Sequence, residues 1–155
     1  MNRKLQTFKY LLFDFLTAAG AWSLFFYYRK TFVESQIFGV KVMVNMDERF
    51  IQGLILIPIF WIFIYAILGN YRKVYRKSRL KELFQTFATS LLGVTTLFFA
   101  LILDDEVINH TTYYQSFAVL FGLHFGLTFF FRFILSSITA SKIHSRKIGF
   151  PTLMV

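Results

Sequence analysis

Apolar residues along this chain fall into four long runs separated by short polar segments. The runs extend from about Phe8 to Tyr28, Phe50 to Gly69, Phe84 to Leu103 and Tyr113 to Ala140. Each reaches the roughly 20 residues that a helix needs to cross about 30 Å of hydrocarbon. Lipid cannot hydrogen-bond a polar backbone, so helix is the state these runs predict. The second and third runs carry no charge; the first contains Asp14, and the fourth His124 and Arg132. A soluble helical bundle is the competing reading, but four such runs leave too little polar surface to wrap a water-soluble particle. The expected fold is therefore all-α, an integral membrane four-helix bundle over residues 1–140.

Composition sharpens this picture. Hydrophobic residues make up 56% of the 155 and charged residues only 16%, with 22 phenylalanines. That excludes a disordered chain, which lacks the apolar surface to collapse. With no cysteine, disulfide scaffolds, thiolate metal sites and cysteine nucleophiles fall away together. The first run is too long for a signal-peptide core and is followed by Tyr27, Tyr28, Arg29 and Lys30 rather than a small-residue cleavage site. Tyrosines and Trp61 gather near run ends (Tyr10, Tyr27, Tyr28, Tyr71, Tyr75, Tyr113, Tyr114), as interfacial rings do.

The net charge of +9 would suggest nucleic acid in a soluble protein, but its placement argues against that. Arg3, Lys4, Lys9, Arg72, Lys73, Arg76, Lys77, Arg79, Lys81, Arg132, Lys142, Arg146 and Lys147 fall to one side of the four runs. Only Arg29, Lys30, Lys41 and Arg49 fall to the other, together with Glu34, Asp47, Glu48, Asp104, Asp105 and Glu106. The positive-inside rule then puts both termini in the cytoplasm. Residues 71–81 carry six of the cations, Arg72, Lys73, Arg76, Lys77, Arg79 and Lys81, beside the inner leaflet. Each contributes about 1 kcal/mol of attraction to an anionic surface, so these six are candidate contacts for lipid headgroups or a lipid phosphate. Leu80, Leu83, Phe84 and Phe87 at helical spacing suggest an interfacial helix leading into the third span. The outer segment from Thr31 to Arg49, with Val40, Val42 and Val44 alternating, leaves a short extended piece and an interfacial stretch both open.

Helices in lipid associate through small residues and a few hydrogen bonds, because hydrocarbon gives no hydrophobic drive between them. Candidate packing positions are Thr17, Ala18 and Ala21 on the first helix, and Thr86, Thr89 or Ser90, Gly93, Thr96 and Ala100 on the third. On the fourth they are Gly122 and Gly126, flanking His124. A packing seam within the bundle is the simpler use of these faces; a seam with a second copy of the chain is the other. Pro58, with Gly53 before it, predicts a bend in the second helix. Asp14 lies six residues inside the first run and Arg132 six from the expected cytoplasmic end of the fourth near Ile138, each roughly 9 Å deep. Equal depth predicts an ion pair between them; the alternative has Arg132 snorkelling to headgroups.

Chemistry-bearing constellations are scarce. His110, His124 and His144 stand far apart, none with a His or Glu at metal-ligand spacing, so neither a metal nor a cofactor is expected. Asp104, Asp105 and Glu106 read as a solvated loop, and Asn109-His110-Thr111 as a weak glycosylation pattern. After residue 140 a polar linker, 141–147, gives way to an apolar, β-prone stub ending Thr152, Leu153, Met154, Val155. An unpaired apolar strand is prone to aggregate, so the stub is expected to be the first strand of an α/β domain that continues beyond it.

Several stretches carry a family resemblance: Arg76 to Leu83, Leu101 to Asp105, Tyr113 to Phe117, Leu123 to Thr128 with Arg132, and Lys142 to Phe150. With these the chain resembles the amino-terminal membrane region of bacterial polyprenyl-phosphate glycosylphosphotransferases of the Bacteroidetes type, the sugar transferases that initiate exopolysaccharide synthesis. The likeness covers most of the chain, best from Tyr71 onward. It implies a bacterial inner-membrane protein whose later domains transfer a sugar-1-phosphate to undecaprenyl phosphate with an Asp-Glu pair and magnesium. No residue here matches that pair, so no catalytic residue is carried over. The implied partners are membrane lipids, undecaprenyl phosphate and the chain's own cytosolic domains; nucleic acid is not among them. Rival readings are a small four-helix flippase or transporter of lipid-linked sugars, for which Asp14, His124 and Arg132 would supply the polar path, and a structural or sensory membrane subunit.

Overall fold

The computed structural model describes residues 3–40, 43, 46–71, 79–102 and 110–144. Among them the chain is all helical and contains no strand. Helix α1 runs Arg3–Tyr28 and continues through a π-helical segment, Arg29–Glu34, and one α-turn, Ser35–Phe38. It stops at Gly39, whose φ of 65° is a left-handed conformation that side chains resist. Helix α2 is Glu48–Ile67; α3 is Arg79–Leu97, extended by π-helical Phe98–Ile102; and α4 is His110–His144. Spans of 30, 20, 21 and 29 residues within these helices, at Leu5–Glu34, Glu48–Ile67, Leu80–Ala100 and Thr111–Thr139, are long and apolar enough to cross a membrane. The protein is a four-helix membrane bundle.

Neighbouring helices run antiparallel. Trp22 Nε1 donates to the Phe50 carbonyl at 3.2 Å, joining the far end of α1 to the start of α2. Gly53 lies under that indole, where a Cβ would collide with the ring. On α4, Gln6 bonds Thr139 at 2.8 Å and Gly20 approaches Leu127, so rising numbers on α1 meet falling ones. Phe98 packs edge-on against Phe117, and Phe87 against Phe121 and Phe125, fastening α3 to α4 in the same antiparallel sense. The start of α1, the end of α2, the start of α3 and the end of α4 therefore share one end of the bundle.

The radial distribution of polarity is inverted relative to a soluble protein. Asp14, Glu82, His124 and Arg132 are buried together with Thr17, Thr86, Thr89, Ser90 and Thr128. Facing outward are Ile55, Leu56, Phe63, Phe84, Leu92, Phe99 and Phe130, each more than half exposed. A contiguous apolar exterior around a polar core is what a lipid solvent selects.

Several expectations need correction. Tyr10 and Trp61 are buried in the core and Tyr71 is partly buried, so these rings do not form an interfacial girdle; Tyr27 and Tyr114 are exposed. Among the described residues no separate interfacial helix leads into the third span: α3 runs from Arg79 without a break, with Leu80, Phe84 and Phe87 on its exposed face. Thr31–Phe38 continues the first helix, while positions 41, 42, 44 and 45 lie outside the described residues. Helix α4 extends to His144 and so takes in the start of the expected linker; the rest of that linker and the stub at 148–155 also lie outside them.

Candidate functional site

The centre of the bundle is built around Asp14. Arg132 donates to its carboxylate in a fork, Nε to Oδ1 at 2.9 Å and Nη2 to Oδ2 at 2.7 Å. Tyr71, just beyond the end of α2, adds its hydroxyl to Oδ2 at 2.8 Å. Asp14 and Arg132 are 1% and 2% exposed. Equal depth in antiparallel helices brings the two charges together, and Arg132 does not snorkel. Burial makes such a pair costly to desolvate, and the bidentate geometry with a third donor offsets that cost. The Arg132 guanidinium also lies 4.2 Å above the Tyr65 ring, a stacking that suits its planar, weakly hydrated charge. The Tyr71 phenol is pushed above its ordinary range, first by burial and then by the Asp14 carboxylate, with Arg132 opposing.

About two turns deeper along α4 than Arg132, His124 Nε2 shares a 2.7 Å hydrogen bond with the Tyr65 hydroxyl. Trp61 stacks on the His124 ring, 3.5 Å between centroids and 12° from parallel. Trp61 is in turn backed by Gly93 of α3, where a Cβ would run into the indole. This explains why α3 carries glycine there. Ala18 and Ala21 are buried on α1, and Thr17 returns its hydroxyl to the Asp14 carbonyl at 3.1 Å.

Gly122 and Gly126 lie elsewhere. Both are exposed, with open space where a Cβ would stand. Helical residues two apart point about 200° away from each other, at 3.6 residues per turn. A face that buries His124 must therefore turn Gly122 and Gly126 outward, and the three could not share one seam. Within the monomer the two glycines contribute nothing to packing. Gly122→Ala and Gly126→Ala are thus expected to raise stability by about 0.4–1 kcal/mol each, through reduced freedom of the unfolded chain. Thermal unfolding in detergent checks this, and a loss of stability at either position would place the glycines in a contact. Thr96 and Ala100 are likewise exposed, at the edge of the buried face of α3.

Sequence reasoning missed Glu82, which is 2% exposed although it lies in the first turn of α3. It begins a buried line on successive turns, Glu82, Thr86 and Ser90, continued by Gly93, Val94 and Leu97. The spacing of Thr86, Ser90 and Gly93 was visible, and extending it one turn back reaches Glu82. Of the six cations proposed for headgroups, Arg72, Lys73, Arg76 and Lys77 lie outside the described residues; Arg79 opens α3, and Lys81 is exposed. At the opposite end Lys30 bridges Glu34 at 3.0 Å and Asp47 at 3.2 Å. Among the described residues no group of three His, Asp or Glu could hold a metal ion.

Comparison with protein families, characterised proteins and solved structures finds no match to this chain. The chemistry of the site is read from its geometry alone. The fork on Asp14, the stacked Arg132 and the Trp61–His124–Tyr65 group are satisfied by one another, which describes a rigid centre holding three helices in register.

Proposed function

We propose that this bundle is the membrane anchor of a bacterial phosphoglycosyl transferase, holding a cytosolic catalytic domain at the leaflet that carries undecaprenyl phosphate. The observation that supports it is that the start of α1, the end of α4 and the two ends of the α2–α3 connection share one end of the bundle, and that the sequence concentrates cations in that connection and at the start of α3. A domain following α4 would emerge on that cationic side, against the inner leaflet of the inner membrane. Confinement of enzyme and lipid substrate to one surface raises their effective concentration without any new contact, and the basic turn adds attraction to anionic headgroups. The internally satisfied pair Asp14–Arg132 fits a static support, and the stretches resembling the sugar-transferase membrane region agree with it.

A second reading, passage of a lipid-linked sugar, is favoured by the buried polar line Glu82, Thr86 and Ser90. One pair of assays separates the two. Membranes of cells in which this chain is expressed from its complete native reading frame are expected to transfer label from a nucleotide sugar into the lipid-extractable fraction, and membranes carrying residues 1–155 alone are not. Flipping of a labelled polyprenyl-linked sugar by the purified chain in liposomes would overturn the anchor reading.

A further inference from the structure

Glu82 is the one acid among the described residues whose carboxylate is fully buried with neither oxygen hydrogen-bonded. The other buried carboxylate, Asp14, is neutralised by Arg132. Thr86 and Ser90, one and two turns deeper on the same face, are 0% exposed, and neither hydroxyl closes a well-formed hydrogen bond. This is not the habit of the helix. Thr89, Thr95 and Thr96 on α3 each return a hydroxyl to the carbonyl four residues back, at 2.6, 2.7 and 2.9 Å. Thr86 and Ser90 have the same option, a backbone carbonyl within reach, and do not take it. The Tyr10 hydroxyl of α1 approaches Glu82 and the Tyr65 hydroxyl of α2 approaches Ser90, without closing a well-formed hydrogen bond to either, so the line is flanked by phenols as well as by its own helix.

Unpaired buried polar groups are costly, and several aligned on one face call for an occupant. The donors are all oxygen, which suits a hard cation. Charge selects its valence. With Asp14 cancelled by Arg132, an ionised Glu82 would bring one charge to be balanced, and a monovalent ion balances it where a divalent ion would leave an excess. We infer that Glu82 and Thr86 form a binding site for a monovalent alkali cation, of sodium or potassium size, with Ser90 a turn deeper extending it into the bundle. Helical neighbours four apart are separated by about 6 Å along the axis, so a glutamate and a threonine so placed can share one ion, while Ser90 is a second step rather than a ligand of the same ion. The site is independent of what the bundle anchors.

The test uses the purified 155-residue chain in detergent and an apolar carbodiimide, which modifies carboxyl groups in apolar surroundings that no cation occupies. Peptide mass spectrometry follows the adduct in sodium, potassium and choline chloride at equal ionic strength. Glu82 is expected to be labelled in choline and protected about tenfold or more by the ion that fits, at ten times its dissociation constant. Protection by sodium or by potassium alone identifies the ion. Thr86→Val, nearly isosteric, is expected to keep the fold and weaken protection severalfold, and Glu82→Gln to remove the adduct. Thermal unfolding of the unmodified chain gives an independent readout, with a higher midpoint in the protecting salt. Equal labelling rates in all three chlorides, with equal unfolding midpoints, would overturn the site and leave water as its occupant.

Discussion

Replacing Asp14 by Ala with Arg132 left in place is expected to lower the stability of the bundle by about 3–5 kcal/mol, the cost of leaving one member of a buried pair uncompensated. Arg132→Ala should cost a similar amount, because it strands a carboxylate that loses both forked bonds and keeps only the Tyr71 hydroxyl. Insertion adds to the first effect: a lone arginine costs up to about 2.5–3.5 kcal/mol at the centre of a span on translocon scales, and less at the shallower depth of Arg132. The double replacement Asp14→Leu with Arg132→Met is expected to recover most of the loss, since apolar residues of similar volume often equal a buried ion pair. Denaturant titration in mixed micelles measures all four species. Strict additivity of the two single effects would show that the side chains do not act on one another.

The second large effect is expected at Trp61. Its indole fills the space between the His124 ring and Gly93, so it sets the spacing of α2, α3 and α4 together. Trp61→Ala should cost about 3 kcal/mol, the low end for a buried aromatic, because lipid removes the transfer part of the penalty and leaves the cavity part. Gly93→Leu attacks the same contact from the opposite side by overpacking, at about 1–3 kcal/mol. Thermal unfolding of each variant, and of the pair Trp61→Ala with Gly93→Leu, tests the coupling. Partial rescue in the pair is expected, as the leucine occupies volume vacated by the indole. Summed losses would mean that the two residues are not in contact.

Hydropathy made the four spans legible, since length and lack of charge alone decide whether a helix can cross lipid. The Asp14–Arg132 pair could be anticipated for a related reason: depth along a span can be counted, and two opposite charges at one depth have few alternatives. Rotation about the helix axis was much less legible. In water an apolar stripe marks the core, but in a membrane both the core and the lipid accept Leu, Phe and Trp. Trp61 could thus pass for an interfacial ring while filling the centre, and Gly122 and Gly126 for a seam while facing outward. Periodicity of polar residues is the better guide, because they alone discriminate between core and hydrocarbon. Followed along α3, it connects Glu82, Thr86 and Ser90, and the glutamate escapes notice only when the span is begun at Phe84. The basic segment 71–81 offers no such period, and the reading proposed for it rests on charge asymmetry.

The absence of cysteine allows the central claim, a four-span bundle with both ends in the cytoplasm, to be tested cleanly by single substitutions. Asn2→Cys, Met43→Cys, Tyr75→Cys and Val107→Cys place one thiol at the amino end and one in each connecting segment. A membrane-impermeant thiol reagent applied to intact spheroplasts is expected to label positions 43 and 107 and to reach 2 and 75 only after the membrane is opened. Labelling of 2 and 75 from outside, with 43 and 107 protected, would contradict the orientation, and labelling of all four from outside would contradict the spans themselves.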